Sequence, residues 1–418
     1  MSDPRLIGMV LGTEEDWPAA FETLVERLGP IEWRGETHEL TTERIVNEPF
    51  DLRYRPRYSL VIDRLAWWYD LPRAWLKKIA LMDDVYLLNN PFTFQSMEKH
   101  SAYGAMIRLG VKVPDTWLIP HKVPTPIAQF EYMAAKFPDV ASRYNAPFDL
   151  LEIGEQVGYP LYMKPFDGGQ WVGVSRVGSP EELQEAYDES GERMMHLQAA
   201  LEGFDVFARS LSIGPETMVM KFRPERPIHD RYEVAHDFLP PELGSEVVTI
   251  SKLVNAFFRW EFNSCETIVK DGVASPIDYA NASPDVAVTS LHYYFPWAMR
   301  ALVRWCAFCV VTGRRMRIDL DTRGYFEIGD DTELSYEQKL AEYRRLADDY
   351  FEVELYDEFV AGPLQPLDEI VHDYFAADFD DVLVSTVHST FPEHEHEHFV
   401  EHYRGLVGAW VADQAAVR

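Results

Sequence analysis

Short apolar runs alternate with amphipathic stretches through residues 1–90. RLIGMVLG, YSLVIDRL and DVYLLNN read as strands, and DWPAAFETLVERLG and WLKKIALM as helices. That alternation predicts a small, mostly parallel α/β domain. NNPFTFQSMEKHSAYGAMIRLG then reads as a loop leading into a helix. VKVPDTWLIP is a strand interrupted by prolines, a natural place for a boundary. The polar, proline-containing stretch from Pro120 to Pro147 reads as a helical insertion or connection. From Phe148 the pattern changes to helix, strand, glycine turn, strand, helix and strand in close succession, an α+β layout. After Arg300 the chain reads as mainly helical and acidic, with one hairpin expected over RMRIDLDTRGYFEIGDD. The expected domains are 1–110, 111–290 and 291–418.

Composition narrows the class. A chain of 418 residues with 47% hydrophobic content can bury more than one core. No apolar stretch approaches the roughly 20 residues a membrane helix needs. The start, MSDPRLIGMVLGTEEDW, reads as a buried first strand and not as a signal peptide, so a cytoplasmic location is expected. Cys265, Cys306 and Cys309 are too few for a disulfide framework. The Cys306/Cys309 pair sits in an apolar helical run, MRALVRWCAFCVVTG, where structural thiols are the simpler reading. The formal charge of −30 argues against nucleic-acid and anionic-membrane partners, which need clustered cations. It also means that an anionic substrate must be drawn in by a local basic pocket. An acidic, well-solvated surface and adaptation to high salt would both give this charge.

Three segments carry candidate chemistry. In YPLYMKPFDGGQWVGV, Lys164 lies on a strand followed by Gly168, Gly169 and Gly173. Glycines let backbone N–H groups approach phosphate oxygens, and a lysine adds a point charge. An ordinary strand edge before a glycine hairpin would look the same. In MMHLQAALEGFDVFARSLSIG, an apolar strand carrying Gln198 leads to Glu202 and Gly203, then to a strand with Asp205 and Arg209. Such a hinge can offer backbone groups to an adenine edge and a carboxylate to ribose; an ordinary hairpin with a surface acid is the alternative. In FRWEFNSCETIVKDGVASPIDYANASPD, Asp271-Gly272 is a strong turn signal. Glu266 and Asp278 could then face each other on neighbouring strands, with Asn281 just beyond. Magnesium takes oxygen ligands of this kind, shared with substrate phosphates. A solvent-exposed acidic hairpin is the plain alternative.

In their order, these segments resemble the ATP-grasp superfamily, in its carboxylate–amine ligase form. SMEKHSAYGAMIRLGVKVPDTWLI looks like the family's lysine-bearing helix and following strand. LQAALEG looks like its hinge, and DFLPPELGSEVVTISKLVNAFF like the helix before its metal strands. The likeness covers residues 87–285 well, the first eighty residues by pattern only, and the last hundred hardly at all. It implies a Rossmann-like N-terminal domain, an ATP-grasp nucleotide-binding domain and a mainly helical C-terminal extension. It further implies that Lys99 and Lys164 contact ATP phosphates under a loop holding Gly168 and Gly169. Gln198 and Leu201 would line the adenine pocket, and Asp205 would reach the ribose. Glu266, Asp278 and Asn281 would hold Mg, and Arg209 and Arg223 would face the acyl phosphate or substrate carboxylate.

The implied activity is ATP-dependent joining of a small-molecule carboxylate to an amine through an acyl phosphate, releasing ADP and phosphate. The alternative is an ATP-binding regulatory or interaction module of the same fold without turnover. A homo-oligomer fits either. Two features depart from the family pattern. Asp278-Tyr-Ala-Asn281 stands where Glu-x-Asn is usual, and Asp319 with Glu327 in the expected later hairpin forms a rival metal pair. Glu266 and Asp278 are preferred because the Asp-Gly turn fits better. Arg223, Arg226, Arg231 and Arg259 hint at an anionic substrate. His394, His396, His398 and His402 read as an exposed charged face rather than a metal site, and the tryptophans as core.

Overall fold

The structure, a computed structural model, describes residues 4–93, 99–122, 147–166, 169 and 171–417. Gly168 and most of the expected 120–147 insertion lie outside the described residues. Among the described residues no helix is long and apolar enough to cross a membrane.

The N-terminal region builds a parallel sheet from β1 (Arg5–Val10), β4 (Leu40–Arg44), β5 (Tyr58–Asp63) and β6 (Tyr86–Leu88), in the order β4-β1-β5-β6. A small hairpin, β2 (Ile31–Trp33) with β3 (Glu36–His38), precedes β4. Both faces of the sheet are covered, which is why β1, β5 and β6 read as continuous apolar runs. Ile7, Met9, Leu60 and Ile62 pack with Trp17, Phe21 and Leu24 of the helix Asp16–Leu28. Val10 and Val61 pack on the other side with Trp75, Leu76 and Ile79 of the helix Asp70–Met82.

Two antiparallel sheets follow. The smaller joins β7 (Thr116–Ile119), β8 (Leu161–Pro165), β9 (Ser175–Val177) and β10 (Met195–Ala199) in the order β7-β10-β8-β9. Leu161, Met163, Met195 and Leu197 turn to a core shared with the helices Leu150–Val157 and Pro180–Ser190. Both helices start at capped ends, Asp149 accepting from the amides of Leu151 and Glu152, and Ser179 from that of Glu182. The larger sheet joins β11 (Val206–Ile213), β12 (Glu216–Phe222), β13 (Tyr232–Glu233), β14 (Phe262–Lys270) and β15 (Val273–Ala282) in the order β13-β12-β11-β14-β15. The helix Pro241–Phe258 packs against this sheet.

From Phe295 onward the described chain is helical, from Phe295–Val311 to His396–Val417. Cys306 and Cys309 lie buried and free in the first of these helices. The hairpin expected over residues 315–331 is absent. Asp319 lies in a loop, and Glu327 sits on the helix Arg323–Asp330, paired with Arg323 one turn away at 2.9 Å. Packing explains the difference: a helix sets the Tyr325 and Phe326 rings against Phe257, at 5.4 and 5.7 Å. The rival metal pair therefore does not form.

One buried carboxylate joins these parts. Glu261, directly before β14, accepts from Tyr86 Oη at 2.6 Å and Trp305 Nε1 at 3.0 Å through Oε2. Its Oε1 accepts from Tyr350 Oη at 2.5 Å, with Arg314 Nη2 3.5 Å away. The Glu261 carbonyl takes the amide of Gly214 at 2.7 Å. Gly214 has φ of 56°, and a Cβ there would stand 2.3 Å from the Trp305 ring, so glycine is required on both counts. Next to the hub, Asn89 pairs with both backbone groups of Phe262 at 2.8 Å. Removing one partner of a buried charged pair costs about 3–5 kcal/mol. Glu261→Ala is thus expected to lower stability by about that amount, read from urea midpoints; a loss under about 1 kcal/mol would contradict the hub.

Candidate active site

The hairpin of β14 and β15 turns on Asp271 and Gly272, whose φ angles of 51° and 74° suit a two-residue loop with both residues left-handed. Counting back from that turn, the register sets Glu266 directly opposite Asp278, and Ser264 opposite Asn281. Irregularities on both sides of Glu266 interrupt the ladder there. On the other side of β14, Arg209 of β11 is the register partner of Glu266. A cation and two carboxylates therefore form a row across three strands. Arg209 Nη1 lies 3.7 Å from Glu266 Oε1, and its Nη2 donates to Ser264 Oγ at 3.3 Å. Asn281 Nδ2 donates to Asp278 Oδ1 at 3.4 Å.

The smaller sheet supplies cations. In β8, Leu161 and Met163 face the core, so Lys164 points away from it. Its ammonium donates to Gln198 Oε1 at 2.7 Å and to the Ile277 carbonyl at 3.1 Å. Gln198 in turn donates to Thr116 Oγ1 at 2.8 Å. Lys99, the first described residue of the helix Lys99–Arg108, forms an ion pair with Asp278 Oδ2. Tyr103, one turn on, donates to the Ile277 carbonyl at 2.7 Å. The two sheets thus meet through the backbone and carboxylate of Ile277 and Asp278.

Electrostatics follow from burial and these neighbours. Burial pulls the Lys164 ammonium down to about 8, against the attraction of Asp278, with Lys99 adding repulsion. Burial works to raise both carboxyls. It prevails at Glu266, despite Arg209. At Asp278 the charges of Lys99 and Lys164 outweigh it and hold the carboxyl below the usual range. His196, register partner of Lys164, is pushed down to about 3 by burial and then by Lys164, His100 and Lys99. A positive field therefore exists locally in a chain of net charge −30.

These groups line one cleft of about 550 Å³ that also holds an apolar cluster of Leu201, Phe204, Phe207, Phe222 and Ile268. Phe207 lies 6.0 Å from Phe204 and 5.2 Å from Phe222, ring to ring. Of the residues singled out in the sequence, Lys99, Lys164, Gly169, Gln198, Leu201, Arg209, Glu266, Asp278 and Asn281 all line it. Two do not. Asp205 accepts the amide of Asp271 at 3.0 Å and so closes the hairpin turn. Arg223 pairs with Glu233 at 2.7 Å on the sheet edge. Phe207, Phe222, Ile268 and Tyr232 were missed. A period-2 count along their strands from Arg209 and from Glu266 finds Phe207 and Ile268 on the same faces; Phe222 and Tyr232 depend on register and had no local signal.

Among the described residues no group of three or more His, Cys, Asp or Glu is gathered for a metal. Two facing carboxylates and an amide are nonetheless a donor set that suits Mg, which binds through one or two carboxylates and completes its shell with phosphate oxygens and water.

No family model and no curated protein matches the chain. Solved structures do. A RimK domain ATP-grasp protein from Sphaerobacter thermophilus is 11% identical, with 72% of this chain and 98% of that one covered and a TM-score of 0.48. This chain is similar in fold to an ATP-grasp protein. D-alanine–D-alanine ligase from Bacillus anthracis, complexed with ATP, is 14% identical over 84% of this chain and 100% of that one, at a TM-score of 0.45. N5-carboxyaminoimidazole synthase from Aspergillus clavatus, with ADP and its ribonucleotide, is 14% identical over 70% and 73%, at 0.46.

Lys164 gives this cleft a pH signature. Its folded pKa of about 8 lies below the ordinary 10.5, so between those values the unfolded chain binds more protons. The stability of the ligand-free protein relative to Lys164→Met is therefore expected to rise with pH across that window. Urea midpoints from pH 7 to 10.5 would check it; a difference independent of pH would contradict the burial of a charged ammonium.

Proposed function

We propose that this protein is an ATP-dependent carboxylate–amine ligase of ATP-grasp type, with an N-terminal domain over residues 1–110 and a nucleotide-binding domain over 111–290. The observation that carries the reading is the meeting of Lys99, Lys164 and Arg209 with Glu266 and Asp278 in one cleft, beside an apolar cluster. Phe207, Leu201 and Ile268 would sandwich the adenine, with Gln198 near it. Lys99 and Lys164 would take the phosphates, and Gly169 would let backbone approach them. Glu266, Asp278 and Asn281 would hold Mg, which supplies charge neutralisation at the phosphate oxygens.

The chemistry requires no nucleophile from the protein. A substrate carboxylate oxygen attacks the γ-phosphorus, the bond to the bridging oxygen breaks, and ADP leaves with its electron pair. The amine nitrogen then attacks the acyl carbon, phosphate departs, and the nitrogen gives up a proton. Arg209 would neutralise charge where carboxylate and phosphoryl meet, while the lysines orient the phosphates. The Lys99–Asp278 pair sets an order of events. Phosphate must take Lys99 before Asp278 is free to ligate a cation, so nucleotide and metal should bind together.

Thermal unfolding with Mg-ATP tests the reading. Ligand at a hundred times its dissociation constant adds about 2.7 kcal/mol, a rise of a few degrees. The rise should need Mg, vanish in Lys164→Ala, and lose its Mg dependence far more in Asp278→Asn than in Asp319→Asn. ADP release with panels of acids and amines then separates a ligase from a binding module. Absence of any Mg-ATP shift in the wild type would refute both.

A further inference from the structure

The arginines suggested by the sequence as anion ligands have divergent fates. Arg223 is taken by Glu233 at 2.7 Å, and Arg226 by Asp230 at 3.2 Å. Arg259 spends its donors on the carbonyls of Asp319 and Leu320, at 3.1 and 3.0 Å. Arg231 differs. It lines the cleft, half-buried, and its Nε donates to the Arg226 carbonyl at 3.0 Å. Its two terminal nitrogens have no acceptor among the described residues, in a chain where 69 acids face 39 bases. The other cleft cations are engaged: Lys99 with Asp278, Arg209 beside Glu266, and Lys164 with Gln198.

Arg231 is also held in place. Its carbonyl accepts the amide of Arg223 at 2.8 Å, and the next residue, Tyr232 of β13, pairs with Phe222 of β12. The Tyr232 ring lies 5.9 Å from the Arg209 guanidinium carbon, and Arg209, Arg231 and Tyr232 all line the same cleft. Behind it, the turn Ile228–Asp230 rests on the C-terminal helix: His229 meets Phe399 at 4.9 Å, and His402 Nε2 lies 3.4 Å from the His229 carbonyl. A fixed guanidinium with two free terminal nitrogens matches a carboxylate in bidentate geometry.

We propose that Arg231 binds a second, non-reacting carboxylate, so that one substrate of this site is a dicarboxylic acid or an amino acid. This rests on the ligase reading above. The carboxylate could belong to the acid that is activated or to the amine that attacks, and matched probes distinguish the two. The protein is saturated with Mg-ADP and titrated calorimetrically with glutarate against butyrate, and with L-alanine against ethylamine. One carboxylate-bearing probe should bind at least tenfold more tightly than its mate, and the pair that shows this identifies the source. Arg231→Gln should remove the preference and Arg231→Lys restore part of it, with the Mg-ADP affinity of each variant reporting that it is folded. Absence of preference in both pairs, or a preference that survives Arg231→Gln, overturns the inference. Failure of Mg-ADP to bind the wild type would instead remove the ligase reading on which it rests.

Discussion

The cleft depends on a carboxylate that does not line it. Glu261 sits five residues before Glu266 on the same run of chain, and it is where the N-terminal sheet, the large sheet and the C-terminal helices meet. Tyr86 comes from β6, Trp305 and Tyr350 from separate helices, and Arg314 from the segment between them. A charge in such a place is tolerated only when its lone pairs are filled and a counter-charge is near. Here both oxygens accept two partners or one with a cation beside it, and Arg314 is itself stacked near Trp305 and Tyr350 at 5.1 Å. Because β14 begins at this knot, the position of Glu266 and of its register partners is inherited from it.

The same logic runs through the cleft with opposite purpose. At Glu261 every donor is spent within the protein, and the result is structure. Around Asp278 the partners line an open cleft: an ammonium holds the carboxylate, and under the proposed function a phosphate and a metal would divide the pair between them. Two buried lysines close together would repel, yet each is offset by an acceptor, Asp278 for one and Gln198 with the Ile277 carbonyl for the other. This lets positive charge persist in a molecule whose surface repels anions, and restricts the attraction to short range, inside the low-dielectric cleft.

Much of this was legible from local pattern. The apolar runs of β1, β5 and β6 announce strands covered on both faces, and Asp271-Gly272 fixes a turn because both residues must adopt positive φ. That turn alone sets the Glu266–Asp278 register. By contrast β4, LTTER, is an edge strand with only Leu40 buried, and such a strand shows no alternation to read. The segment around Tyr325 has apolar residues at spacings that suit a strand or a helix. Phe257, distant in sequence, decides for the helix. Arg223 and Arg231 are indistinguishable in the sequence. Their difference lies in which one finds Glu233 across a two-residue edge strand.

That last contrast bears on the C-terminal helices, for which the sequence suggested no role. They contribute none of the lysines, arginines or carboxylates that line the cleft, yet they buttress two of its walls. The helix Phe295–Val311 reaches the Glu261 knot through Trp305, fixing the start of β14. The helix His396–Val417 lies against the Ile228–Asp230 turn and, through Tyr403, donates to the Thr289 carbonyl at 3.0 Å, next to the cleft-lining Ser290. Tyr293 adds a bond to Asp413 at 2.6 Å in the same place. An edge strand of two residues has too few ladder bonds to hold a guanidinium in position. Packing from behind supplies the rest, so the position of this wall is set as much by Phe399, His402 and Tyr403 as by the residues that face the cleft.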